Sequence, residues 1–131
     1  MAPDLLMCAY VALFAIALNI STIAPTLIYQ GLLFGVGNRD GQKSEEPAWA
    51  ERLRRAHRNM LENVLPFGIL AFVAHTGGVD PEVTAWGAQL FLIGRIAHAV
   101  IYVAGIPWVR TAAFAVSLNG MMTIAWAILA L

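Results

Sequence analysis

Long apolar stretches separated by short polar breaks dominate the pattern of the sequence. A helix that spans a bilayer needs about 20 mostly apolar residues. Four stretches approach or exceed that length: residues 5–36, 60–75, 84–104 and 108–131. The second is short, so we expect its helix to begin earlier, in the charged run 49–59. In the first, Pro25 predicts a kink, where the hydroxyls of Ser21 and Thr22 are available to bond with freed backbone groups.

Breaks that contain glycine or proline separate these stretches. Residues 35–42 end the first, residues 76–82 form a polar turn in which Pro81 suits an early helical position, and residues 105–107 precede the fourth. Short connections make neighbouring helices antiparallel. We therefore predict an all-α integral membrane protein: residues 1–131 form a single transmembrane domain, an antiparallel four-helix bundle.

The composition agrees with a membrane protein and excludes several other classes. Of the 131 residues, 60% are hydrophobic and 12% are charged, whereas soluble domains have about 45–50% apolar and about 25% charged residues. Eight basic residues balance eight acidic ones, which gives no indication of nucleic-acid binding. Cys8 is the only cysteine, which excludes an intrachain disulfide, and the three histidines are too scattered to predict a metal site.

The basic residues indicate how the chain is oriented. Six of the eight lie between the first and second helices: Arg39, Lys43, Arg52, Arg54, Arg55 and Arg58. By the positive-inside rule this loop is cytoplasmic, and both termini lie on the opposite side. Residues 1–4 contain no basic residue, so we expect the first stretch to be a membrane helix rather than a signal peptide.

Polar side chains on the second helix need an explanation. At about 100° per residue, one arc of roughly 80° holds most of them. They are Arg52, Arg55, Asn59 and Glu62, with Arg58 beside the arc. Ionisable groups at membrane depth usually face the bundle interior, where they find partners. One interpretation is structural: an Arg–Glu network that positions this helix.

The third helix carries a second polar set. Arg95, His98 and Tyr102 are spaced i, i+3 and i+7, so they share one face. A structural alternative for this set is an ion pair between Arg95 and Glu62. Arg110, at the start of the fourth helix, has the alternative of an ordinary anchor at the membrane interface. Both sets thus have a structural as well as a functional interpretation.

The antiparallel order is expected to bring the two sets together at one membrane side. A single cavity there would be lined by Arg55, Asn59, Glu62, His98, Tyr102 and Arg110. Arginine binds carboxylates in a bidentate manner, and an adjacent positive charge lowers the pKa of a thiol. Such a cavity suits a thiol tripeptide with two carboxylates and one amine, or another anion such as a lipid headgroup.

Two runs of residues resemble the signatures of a known family. They are residues 54–67 (RRAHRNMLENVLPF) and residues 94–102 (GRIAHAVIY), the latter followed by Arg110. In order and spacing over about residues 49–114, the chain resembles the MAPEG family, the membrane-associated proteins in eicosanoid and glutathione metabolism. Its general pattern is similar to an uncharacterised bacterial branch of that family, which implies a bacterial inner membrane.

The resemblance implies a homotrimer of four-helix subunits, with glutathione as a co-substrate bound between neighbouring subunits near the cytoplasmic side. Arg110 would be the catalytic residue that stabilises the glutathione thiolate. A lipophilic small molecule would enter laterally among the membrane lipids. By motif, the glutathione-binding residues would be Arg55, Arg58, Asn59, Glu62, Arg95, His98, Tyr102 and Thr111.

Two functions from different classes follow. The first is a membrane-bound glutathione-dependent transferase or peroxidase that acts on a lipophilic electrophile. The second is a non-catalytic membrane scaffold, a lipid-binding protein or an accessory subunit of a larger membrane complex, since members of one fold do not all share one chemistry. Two departures support the second: Phe114 stands where a characterised member has a tyrosine, and no arginine lies near Gln30.

Overall fold

Helices account for most of the chain. The computed structural model describes residues 1–41 and 44–131, and the described residues form helices and turns but no strand. The elements in chain order are α1 (Pro3–Ser21), α2 (Ile23–Pro25), a π-helix (Thr26–Gln30), α3 (Leu32–Val36), α4 (Ala48–Gly77), α5 (Pro81–Ala104) and α6 (Pro107–Leu129).

Four helical stretches among the described residues are long and apolar enough to cross a membrane. They are Pro3–Gln30, Ala48–Gly77, Pro81–Ala104 and Pro107–Leu129. The prediction of an all-α integral membrane protein with four membrane helices is therefore confirmed. As expected from the sequence, the charged run 49–59 belongs to the second of these helices, because α4 begins at Ala48.

The first membrane helix ends earlier than the apolar stretch 5–36 predicted. The helix is irregular around Pro25, as expected, and the hydroxyls of Ser21 and Thr22 each donate to a carbonyl three residues earlier at 2.6 Å. The π-helix ends at Gly31, whose φ of +87° is a value that L side chains rarely adopt. One continuous helix over residues 5–36 is therefore wrong, because the chain changes direction at this glycine before α3.

Short turns make α4, α5 and α6 antiparallel. Asp80 caps α5 by accepting a hydrogen bond from the Glu82 amide at 2.9 Å, and Pro81 is its first residue, as predicted. Gly105, with φ of +81°, ends α5 directly before α6. We call the end of the bundle that carries this second turn and the start of α4 the arginine end. The opposite end carries the start of α1 and the turn at Asp80, and we call it the far end.

Polar contacts hold the loop before α4 against the π-helix. The Gln30 side chain donates to the Ser44 carbonyl at 2.8 Å and accepts from the Ser44 amide at 3.3 Å. Arg54 forms an ion pair with Glu46 and donates to the Thr26 hydroxyl at 3.3 Å. The hydrogen bond from Arg54 holds the pKa of the Glu46 carboxyl below its usual range. Lys43, counted above in the predicted cytoplasmic loop, lies outside the described residues.

Small residues bring α5 and α6 into close contact. A Cβ atom added at Gly94 would lie 2.8 Å from the Cα of Ser117, and one added at Gly120 would lie 2.6 Å from the amide nitrogen of Phe91. In membranes, small residues allow helix backbones to approach closely. This contact fixes the position of Arg95, the residue after Gly94, inside the bundle.

We expect Gly120→Ala to lower the free energy of unfolding by about 2 kcal/mol, because overpacking at a backbone contact forces the helices apart. Gly68→Ala is the matched control, since a Cβ there meets no heavy atom within 4 Å. It should be neutral or slightly stabilising, because alanine favours helix more than glycine does. Thermal unfolding of both variants in detergent tests this expectation, and equal midpoints would contradict it.

Candidate functional site

A polar cavity of about 340 Å³ opens at the arginine end, between α4, α5 and α6. Its lining residues are Asn59, His98, Tyr102, Arg110, Thr111 and Phe114. They meet there because α5 ends where α6 begins, and α4 runs antiparallel to α5 beside both. Five of the six are among the binding or catalytic residues that the sequence suggested, and the sixth, Phe114, was noted there only for the tyrosine it replaces.

Arg110 supplies the positive charge on the lining of this cavity. It lies in the first turn of α6, and its Cζ atom lies 4.6 Å from the centroid of the Tyr102 ring, a cation–π contact. Arg110 is half-buried and forms no ion pair with any described residue. Its guanidinium therefore lies against an aromatic ring, and no described carboxylate neutralises its charge.

Arg95 lies behind the cavity, with 1% of its surface exposed. Its Nη2 atom donates to the Oδ1 atom of Asn59 and lies 3.4 Å from the Nδ1 atom of His98. Its Cζ atom is 5.8 Å from the Phe114 ring centroid. Among the described residues, its Nε and Nη1 atoms have no hydrogen-bond partner. Arg95 therefore supports two of the lining side chains and brings a buried positive charge close to the cavity.

The remaining candidates on α4 lie outside the cavity lining. The side chains of Arg55 and Arg58 are 57% and 60% exposed, and both bond to Glu51, at 3.1 and 3.3 Å. Arg55 lies one helical turn before Asn59 on α4, which places it near the cavity rim. Glu62 is exposed. The sequence predicted that Arg55 and Glu62 also line this cavity. In one chain they do not.

The ion pair between Arg95 and Glu62, given above as the structural alternative, does not form among the described residues. Asn59, on the turn of α4 before Glu62, takes the position beside Arg95 and accepts its hydrogen bond. The Arg–Glu network on this helix is centred on Glu51 instead. Glu51 was missed, although its spacing of four residues from Arg55 is the usual one for an ion pair on a helix surface.

The fold and this cavity define a class of protein: a four-helix membrane bundle with a cationic, aromatic-lined cavity where its helices end. The family model of the MAPEG family matches residues 5–130. The chain belongs to the MAPEG family, which confirms the resemblance seen in the sequence.

Two human relatives illustrate the similarity. Prostaglandin E synthase is 46% identical over 52 residues, which cover 40% of this chain and 34% of that protein. Microsomal glutathione S-transferase 1 is 34% identical over 74 residues, which cover 56% of this chain and 48% of that protein. The chain thus spans about a third to a half of the length of the curated relatives that it matches.

Proposed function

We propose that the protein is a membrane-bound glutathione-dependent transferase or peroxidase that acts on a lipophilic electrophile. Membership of the MAPEG family and similarity to a protein named as a glutathione S-transferase support glutathione-related chemistry in the membrane. The observation that carries the proposal is Arg110, a cavity-lining guanidinium without an ion-pair partner among the described residues.

Arg110 has donors of the kind that the anionic groups of glutathione bind. The tripeptide carries two carboxylates, one ammonium group and one thiol, and arginine binds carboxylates with two parallel hydrogen bonds. Arg110 beside the thiol would favour the thiolate, because a nearby positive charge lowers a thiol pKa. In the transferase reaction, the thiolate sulfur would form a bond to an electrophilic carbon of the lipophile. The bonding electrons would move to a leaving group or, in an addition, to an atom that is then protonated.

The exposed charges on α4 suggest where the rest of glutathione lies. Arg58 and Glu62 are exposed on one chain, although α4 is a membrane helix, and ionisable groups facing lipid are costly. We propose that neighbouring subunits of a homotrimer cover this surface and enclose glutathione between them. The arginine end would face the cytoplasm of a bacterial inner membrane, where water-soluble glutathione and a lipid-soluble electrophile can meet.

Titration of the lipid-reconstituted protein with glutathione tests this function. We expect saturable heat of binding together with an increase in thiolate absorbance, and a native mass that corresponds to three subunits. S-Methylglutathione, which has no thiol, should also bind saturably but without the absorbance change. Absence of saturable binding by a well-folded protein would contradict the proposal.

Two observations favour a second candidate, a non-catalytic scaffold, lipid-binding protein or accessory subunit of a larger membrane complex. Phe114 gives the cavity an apolar ring where a phenol donor would assist chemistry, and Glu51 already pairs with Arg55 and Arg58. This candidate predicts that an anionic lipid headgroup occupies the cavity and that glutathione, if it binds, forms no thiolate. The same titration therefore separates the two candidates.

A further inference from the structure

A second cavity lies at the far end, between α1 and α4, with a volume of about 280 Å³. Most of its lining is apolar and includes Val11, Val64 and Phe67. One end of the cavity is polar, because Asp4 on α1 and His75 on α4 face each other there. This cavity shares no lining residue with the cavity at the arginine end, and its polar end at residue 75 of α4 lies about 24 Å from residue 59 at 1.5 Å per residue.

Asp4 is an unusual group to find in this position. Only 1% of its surface is exposed, and its Oδ2 atom lies 2.7 Å from the Nδ1 atom of His75. Its Oδ1 atom is buried and has no hydrogen-bond partner among the described residues. Buried polar atoms are nearly always hydrogen-bonded. Asp4 lines the cavity and His75 occupies its other oxygen, so Oδ1 can accept from a molecule inside the cavity once the Asp4 side chain turns and uncovers it.

We propose that this second cavity binds a lipophilic amine, with the ammonium group on Oδ1 of Asp4 and the hydrocarbon body along the apolar lining. A carboxylate makes its stronger hydrogen bonds to charged donors, so an ammonium group matches this acceptor better than a hydroxyl does. The apolar lining excludes hydrophilic amines, and the position between two membrane helices gives access from the bilayer. The charge preference is opposite to that of the arginine end, where the free donors suit anions.

Cys8 provides a reporter for occupancy, because it lines the same cavity and is the only cysteine in the chain. The rate of its alkylation by N-ethylmaleimide is measured in lipid nanodiscs with N,N-dimethyloctylamine, which does not itself consume the reagent. At a concentration ten times the dissociation constant, binding should slow alkylation about tenfold. Octanol and octanoate, of equal chain length, should protect Cys8 far less.

Two variants separate recognition by the carboxylate from simple filling of the cavity. Asp4→Asn keeps the shape of the side chain and removes its charge, so protection by the amine should be lost. Gly68 lines the cavity, and a Cβ added there meets no heavy atom within 4 Å. Gly68→Leu should therefore fill part of the cavity and weaken protection by the amine. It keeps the proposal testable if Asp4→Asn does not fold. Equal protection by amine and alcohol, or full protection in folded Asp4→Asn or Gly68→Leu protein, would overturn the proposal. Glutathione binding at the arginine end should not change with the amine.

Discussion

Replacement of Arg110 by alanine should abolish thiolate formation from bound glutathione and reduce turnover about 100-fold, the typical effect of removing one preorganised donor from a reacting charge. Each unit by which a thiol pKa is lowered corresponds to about 1.4 kcal/mol of preferential stabilisation of the thiolate. Arg110 is the one guanidinium on the described cavity lining and Arg95 lies behind that lining, so no other lining side chain replaces this effect. Thiolate absorbance and turnover, measured beside the native mass, test the expectation.

Two matched variants sharpen the test of Arg110. Arg110→Lys keeps the positive charge and loses the planar group that stacks on Tyr102, so it should retain part of the thiolate signal. Arg39→Gln removes a positive charge from an exposed residue outside the cavity, and its thiolate signal should equal that of the wild type. Unchanged turnover in a correctly assembled Arg110→Ala protein would remove Arg110 from the mechanism.

The sequence predicted the membrane helices well because length and apolarity determine them directly. The same reasoning failed at Gly31, because an apolar residue pattern does not record a positive φ angle. An apolar run therefore predicts that a segment is buried in lipid or protein more reliably than it predicts one continuous helix.

The face of α5 was also predictable, because Arg95, His98 and Tyr102 are held close to one another by helix geometry alone. The polar arc on α4, which includes Arg55 and Asn59, predicted the contacts of its side chains less well. Long arginine side chains reach an acidic partner on the outer surface, as Arg55 does with Glu51, whereas the short side chain of Asn59 contacts Arg95. The position of a residue on a helix determines the direction in which its side chain leaves the backbone. The location of the charged group at the end of a long side chain depends instead on the nearest partner of opposite charge.

The contact between Asn59 and Arg95 leads to the second large expected effect. Asn59→Leu should lower the free energy of unfolding by about 3 kcal/mol, because removing the hydrogen-bond acceptor of a buried charged group leaves its donor unsatisfied. Arg95 is almost fully buried, and its Nε and Nη1 atoms already have no partner among the described residues, so the loss of Asn59 is not easily replaced. Asn63→Leu is the control, since that side chain donates only to a backbone carbonyl of its own helix.

A double variant distinguishes an uncompensated charge from a general packing defect. In Asn59→Leu combined with Arg95→Met, the buried charge and its polar partner are both replaced by apolar groups, and much of the lost stability should return. Glutathione binding should not return, because the cavity has lost the amide of Asn59 and the positive charge behind it. Unfolding in detergent gives the coupling between the two sites. Strictly additive losses would show that the bond between Asn59 and Arg95 does not hold the charge of Arg95 in the bundle.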